Sequence, residues 1–198
     1  AVLDAARAAG VRYVDVARSY GKAEEFLAEW VRDRSVPRDT LTVGSKWGYR
    51  YTAAWSVDAS VHEQKELSLA RFTAQLAETL ALLGDRLDVY AIHSATMESG
   101  CLVDAPLLGA LVDGRRRGAY RAVGFTLSGP ESARALERGL AARVDGERVF
   151  DVVQATFNCL EPSLAAGLAQ AHNEGLGVIV KEAHANGRLT DTNDRPED

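Results

Sequence analysis

Cysteine, methionine and proline are scarce in this chain, with two, one and five residues among 198. Cys101 and Cys159 lie too far apart in sequence to form a closely spaced zinc-ligand pair, and reduced thiols in a cytoplasmic protein are the expectation. No apolar run approaches the ~20 residues that a membrane span requires. The first residues lack the charged and apolar regions of a signal peptide, so neither a membrane nor export is expected. Positive charge is not in excess either. A formal net charge of -5 argues against a nucleic-acid partner, and the run Arg115, Arg116, Arg117 reads as a solvated helix end whose cations suit the helix dipole. His62, His172 and His184 have no ligand partner at metal-binding spacing, so no metal site is expected. A GxGxxG turn follows none of the strand-like runs, which removes support from a dinucleotide fold built on that fingerprint.

What the chain does contain is a regular alternation of strand and helix. With 46% hydrophobic and 26% charged residues, it suits one globular domain over 1–198 with a substantial core. Strand-like runs fall at 12–17, 41–46, 88–93, 120–126, 150–155 and 177–180, and helical patterns at 1–9, 22–33, 66–83, 106–117, 130–142 and 162–173. In the longest helix, Leu69, Phe72, Leu76, Leu80 and Leu83 recur at spacings of three and four, so one stripe faces a core. Repeated strand-then-helix units make parallel strands with right-handed crossovers, which leaves a doubly wound open sheet or a barrel.

Three polar residues close successive strands: Asp15, Lys46 and His93. If they point inward, alternation puts Tyr13, Ala17, Thr42, Gly44, Val89 and Ala91 on the same side and Val14, Val43, Tyr90 and Ile92 under the helices. A barrel interior tolerates such small and polar residues better than an open sheet face, so the α/β barrel is preferred. Its active site lies at the C-terminal ends of the strands, where these three residues sit with Tyr20 five residues past Asp15.

Those four side chains make a proton-transfer site. Reducing a carbonyl needs a hydride donor on one side and a proton donor near the oxygen, where negative charge develops. Tyr20 can give that proton; the ammonium of Lys46 is expected to lower the phenol's pKa, and Asp15 to hold Lys46 charged and in place. His93 can donate a hydrogen bond to the carbonyl oxygen or relay a proton to Tyr20. Each has a plainer role taken singly: Asp15 as a cap, Lys46 as a surface cation, His93 as a structural histidine, Tyr20 as a packing aromatic. Their joint placement at strand ends favours the functional reading. Because no side chain donates hydride, the reading demands a nicotinamide cofactor.

Six segments, in order, resemble the aldo-keto reductase family. Gly10-Val-Arg-Tyr-Val-Asp15-Val-Ala-Arg-Ser-Tyr20-Gly21 resembles its second strand and tyrosine loop, Ser45-Lys46-Trp47 its third strand end, and Asp88-Val-Tyr-Ala-Ile-His93 its fourth. Gly118 to Thr126 resembles the fifth, Val152 to Asn158 the sixth, and Ala185 to Thr190 the loop after the seventh. The resemblance implies a (β/α)8 TIM-type barrel present as an incomplete portion of about six strands, second to seventh. A native polypeptide about 100 residues longer, the usual size of that fold, is the expectation.

The resemblance also implies reduction of a small-molecule aldehyde or ketone with Asp15, Tyr20, Lys46 and His93 as the catalytic set. NADPH is the implied cofactor, with NADH not excluded by these residues. Gln154 would bind the carboxamide, with Thr126 in the position of the family's serine. Leu127 stands where the family has asparagine, and Lys181 where it has a stacking aromatic, so the lysine's aliphatic stem would cover the nicotinamide instead. Beyond Lys46, the loop from Trp47 to His62 carries Trp47, Tyr49, Tyr51 and Trp55; Trp47 is the expected substrate-lining residue. Two other functions stay open: a catalytically quiet nucleotide-binding regulatory module of the same fold, and a Schiff-base lyase using Lys46.

Overall fold

The computed structural model describes residues 1–53, 56 and 58–193. Helix α1 (Val2–Ala8) leads to the short strand β1 (Tyr13–Asp15) and helix α2 (Ala23–Asp33). Asp4 ties the first helix to the second by accepting hydrogen bonds from Trp30 Nε1 and Arg34 Nε, each at 2.9 Å. Strand β2 (Thr42–Trp47) follows, then a small antiparallel excursion, β3 (Tyr49–Tyr51) with β4 (Glu63–Lys65). Helix α3 (Leu69–Leu83) starts where Ser68 accepts the Arg71 amide and stops at Gly84, whose φ of 53° suits glycine. Strand β5 (Val89–Ala95), helix α4 (Ala105–Arg116), strand β6 (Ala122–Leu127) and helix α5 (Ser132–Ala141) continue the alternation. Asp104 accepts the Leu107 amide at 3.1 Å, and Pro106 in the first turn needs no helical donor. A second antiparallel pair, β7 (Arg143–Val144) and β8 (Glu147–Arg148), precedes β9 (Val152–Thr156), α6 (Ala165–Asn173) and β10 (Gly177–Lys181).

The six long-range strands form one parallel sheet in the order β1, β2, β5, β6, β9, β10. It is a curled, incomplete (β/α)8 barrel: the inward alternation pointed to a barrel, and the family resemblance to an incomplete one. The helix-facing side of the sheet carries Val43, Tyr90, Ile92, Val123, Phe125 and Val153, all fully buried in one apolar core with Leu27, Phe72, Leu107, Leu111 and Leu136. Each such side chain contributes roughly 1.5–3 kcal/mol by leaving water. The other side carries small and polar residues. Register sets Asp15 beside Gly44, Lys46 beside Ala91, and Thr126 beside Gln154. At Gly44 a Cβ would lie 2.2 Å from the Tyr13 hydroxyl, so only glycine leaves Tyr13 its place.

Two features depart from the sequence reading. The ridge that α3 buries runs through Phe72, Gln75, Thr79 and Leu83, whereas Leu76 and Leu80 are only partly buried. Gln75 and Thr79 belong inside because each bonds a partner there, as described below. At the end of α4, Arg116 and Arg117 are exposed as a solvated helix end would be, but Arg115 is not. Arg115 donates to Asp151 Oδ2 at 2.5 Å, to Glu147 Oε1 at 2.6 Å and to the carbonyls of Val149 and Arg148, and Arg116 pairs with Glu147. Arg115 and Arg116 therefore fasten α4 to the β7–β8 pair and the segment after it. Among the described residues, no helix is long and apolar enough to cross a membrane.

Candidate active site

Asp15, Tyr20, Lys46 and His93 converge at the C-terminal ends of β1, β2 and β5. Lys46 is 1% exposed, and two acceptors and a ring face meet its ammonium group. It donates to Asp15 Oδ2 and, at 2.8 Å, to the Val16 carbonyl, and its Nζ stands 4.9 Å from the centroid of the Tyr20 ring. Burial pulls Lys46 below its ordinary value, the Asp15 carboxylate opposes this, and the charge of Lys181 adds to the downward pull. Asp15 is the hub: Tyr13 donates to its Oδ1 at 3.2 Å, and Gln154 Nε2 to its Oδ2 at 3.2 Å.

Tyr20 is half-exposed on the loop between β1 and α2, with its ring edge-on to His93 at a centroid distance of 5.6 Å. Its pKa moves opposite to the sequence expectation. The phenol is pushed above its ordinary value, first by burial and then by the carboxylates of Asp15 and Glu63. The lysine does not lower it because Lys46 faces the ring rather than standing as a lone charge, and Asp15 beside it answers that charge.

His93 owes its position to an irregularity in β5. The pairing of β5 with β6 shifts between Ile92 and Ala95, and Ser94 adopts a left-handed φ of 59°. Such a bulge re-aims a side chain beside a site. The Ser94 amide displaced from the ladder donates instead to Thr126 Oγ1 at 2.8 Å. Burial holds the imidazole down at about 4, with the charges of Lys46, Lys181 and Lys65 in the same direction and Asp15 opposing. His93 is therefore neutral near pH 7. Its Nδ1 is buried and, among the described residues, has no hydrogen-bond partner.

Trp47, the expected pocket aromatic, is turned away. It is fully buried and packs edge-on to Phe72 at 5.2 Å, because the residue after an inward-pointing Lys46 must point outward. The aromatic beside the site is Tyr49, 4.9 Å from His93, with Lys65 Nζ 5.9 Å from its ring centroid. Gln75 on α3 holds this turn by accepting the Gly48 amide at 2.8 Å and donating to the Tyr49 carbonyl at 2.9 Å. Trp55 lies outside the described residues.

The residues suggested for a cofactor sit on neighbouring strands. Gln154 is buried on β9. Thr126, also buried, spends an oxygen lone pair on Ser94 and keeps its hydroxyl hydrogen for another acceptor. Together they offer one acceptor and one donor, the complement of a carboxamide. Leu127 is buried against the apolar core and offers a carboxamide no side-chain hydrogen bond. Lys181, at the end of β10, is partly exposed and stands 3.9 Å from the Glu182 carboxylate. A cavity of about 500 Å³ opens beside these strand ends, lined in part by Leu127, Ser128, Thr156, Asn158, Glu182 and Arg188. Among the described residues, no group of three or more His, Cys, Asp or Glu is placed to hold a metal ion.

Comparison with known proteins identifies the family and the fold. The model of the Aldo/keto reductase family matches residues 1–198. Aldo-keto reductase str7 of Strobilurus tenacellus is 24% identical over the whole chain, which spans about half, 53%, of that relative's length. A Pseudomonas aeruginosa protein described as an aldo-keto reductase superposes with a TM-score of 0.74 at 24% identity, covering 94% of this chain and 66% of its own. The holo form of an aldo-keto reductase from Bacillus halodurans superposes with a TM-score of 0.75 at 18% identity, over 97% of this chain and 59% of its own.

Proposed function

The chain belongs to the aldo/keto reductase family, and from that premise we propose that its residues form the catalytic part of an NADPH-dependent reductase of aldehydes or ketones, in a single barrel domain. The observation that carries the reading is the placement of Lys46, paired with Asp15, beneath the ring of Tyr20, with His93 edge-on to the same ring. A nicotinamide cofactor would supply hydride to the carbonyl carbon. Tyr20, protonated at neutral pH, gives its phenolic proton to the carbonyl oxygen as charge develops there. The ammonium of Lys46, kept in place by Asp15, lies against the face of the Tyr20 ring and orients the phenol rather than lowering its pKa. A neutral His93 donates its one N–H to the same oxygen and so fixes the carbonyl's orientation. Thr126 and Gln154 would hold the carboxamide, and the Lys181 stem would cover the ring edge.

The supporting residues leave little room for the lyase alternative. An amine held by Asp15 and the Val16 carbonyl is protonated and poorly nucleophilic. Leu127 and Lys181, which depart from the family pattern, favour the quiet nucleotide-binding alternative, and one experiment separates the two. Titration with NADPH, and NADH beside it, is followed by tryptophan fluorescence, and aldehyde and ketone turnover is then measured against Tyr20→Phe. Saturable binding with turnover that the variant loses supports the reductase. Binding without turnover identifies the quiet module, and no binding removes the nucleotide site from this chain.

A further inference from the structure

A carboxylate buried away from the reacting groups needs a reason, because removing a charge from water costs several kcal/mol unless its partners are well placed. Glu24, at the start of α2, is 2% exposed. Its Oε1 accepts from Ser45 Oγ at 2.6 Å and from Thr79 Oγ1 at 2.9 Å, and its Oε2 accepts from Arg18. Arg18 in turn donates its Nε to Glu78 Oε2 at 3.1 Å and its backbone amide to the Lys46 carbonyl at 3.0 Å.

Position in the chain gives these contacts a common meaning. Arg18 and Glu24 flank Tyr20, Ser45 precedes Lys46, and Thr79 and Glu78 lie on the helix that packs behind both. We propose that the Arg18–Glu24 pair is a positioning device that locks the loop carrying Tyr20 against the strand carrying Lys46, setting the 4.9 Å separation of ammonium and ring. The proposal rests on Tyr20 being the proton donor. Neither Arg18 nor Glu24 touches the reacting atoms. A helix anchor alone would need no link to Ser45 and to the Lys46 carbonyl, each of which lands on the lysine's own strand.

The test is Glu24→Gln, which keeps the shape and the contacts to Ser45 and Thr79 but removes the charge that holds Arg18. Misplacing a proton donor by an ångström costs up to about a hundred-fold in rate. Between ten- and a hundred-fold in kcat is therefore expected, at unchanged NADPH affinity, with a larger solvent deuterium isotope effect because proton transfer becomes limiting. Glu24→Asp is the second variant, used if the first does not fold. Independently of turnover, 3-fluorotyrosine placed at position 20 is titrated by fluorine NMR in both backgrounds, and its pKa is expected to differ between them. A lowered melting temperature with an unaltered isotope effect and unaltered Tyr20 titration would leave Glu24 a purely structural anchor and overturn the proposal. If Tyr20→Phe retains full turnover, the proton-donor reading fails instead, a result visible without any Glu24 variant.

Discussion

Gln154 and Asp15 stand four strands apart in the sheet, yet Gln154 Nε2 donates to Asp15 Oδ2 over 3.2 Å. In a flat sheet, four spacings of about 4.8 Å would separate their backbones by roughly 19 Å. The bond therefore requires the sheet to curl, and it couples the proposed carboxamide holder to the carboxylate that orders Lys46. Gln154→Leu is expected to weaken NADPH binding by about ten-fold, the equivalent of one net hydrogen bond, with the fold retained by circular dichroism. Unchanged binding would place the carboxamide elsewhere.

Tyr20→Phe removes a hydroxyl from a half-exposed ring without changing its packing. Reduction is expected to fall by a factor on the order of 10² to 10⁴, the usual worth of a general acid, while NADPH affinity stays within about two-fold. Steady-state kinetics beside a fluorescence titration measures both. Because burial and Asp15 raise the phenol's pKa, the acid form persists through neutral pH, so reduction declines only on the alkaline side.

His93 supplies a prediction about stability. Its pKa falls from 6.5 to about 4 on folding, so the folded state prefers the neutral ring. That contribution is complete above pH 6.5 and is lost as the pH falls toward 4, with about 3 kcal/mol as the upper bound for such a shift. The difference in unfolding free energy between the protein and His93→Gln, measured by urea denaturation from pH 7 to pH 4, isolates it. A difference independent of pH would show that the imidazole titrates normally.

Gly44→Ala tests the inner packing. The new methyl carbon would meet the Tyr13 hydroxyl at 2.2 Å, forcing apart the Tyr13–Asp15 contact and costing about 1–3 kcal/mol. Adding Tyr13→Phe is expected to recover part of the loss, read as a melting temperature between those of the two backgrounds. An additive loss in the double variant would remove the clash as the cause.

Much of the scaffold could be read from the residues. The strands that end near Asp15, Lys46 and His93 follow from alternation, the helix over 66–83 from its apolar spacing and that over 106–117 from the proline at its start, all of them local signals. The inward face was equally accessible, because Gly44 and Ala91 alternate with Val43 and Tyr90. Contacts between side chains distant in sequence were not. Hydropathy counts Gln75 and Thr79 as surface residues, although one holds the turn before Tyr49 and the other satisfies Glu24. The bulge at Ser94 left no signal, since a serine at positive φ looks like any other serine. Trp47 was misplaced for a simpler reason: aromatic character drew attention to it, while the pleat that directs Lys46 inward had already assigned it to the opposite face.

The β3–β4 excursion has a bearing on how the protein can change. Among the described residues its two strands pair with each other and stand apart from the parallel sheet, and Gln75 fastens its first turn to α3. Tyr49 and Lys65, the side chains it brings toward His93, thus reside on a separable insert, whereas Asp15, Lys46 and His93 belong to the strands and the bulge themselves. Exchanging this insert for one of different length or charge would alter what stands beside His93 without rewriting the register that brings Asp15, Lys46 and His93 together. The surroundings of His93 can therefore be changed at a lower cost in stability than a change in the barrel's own strands would carry.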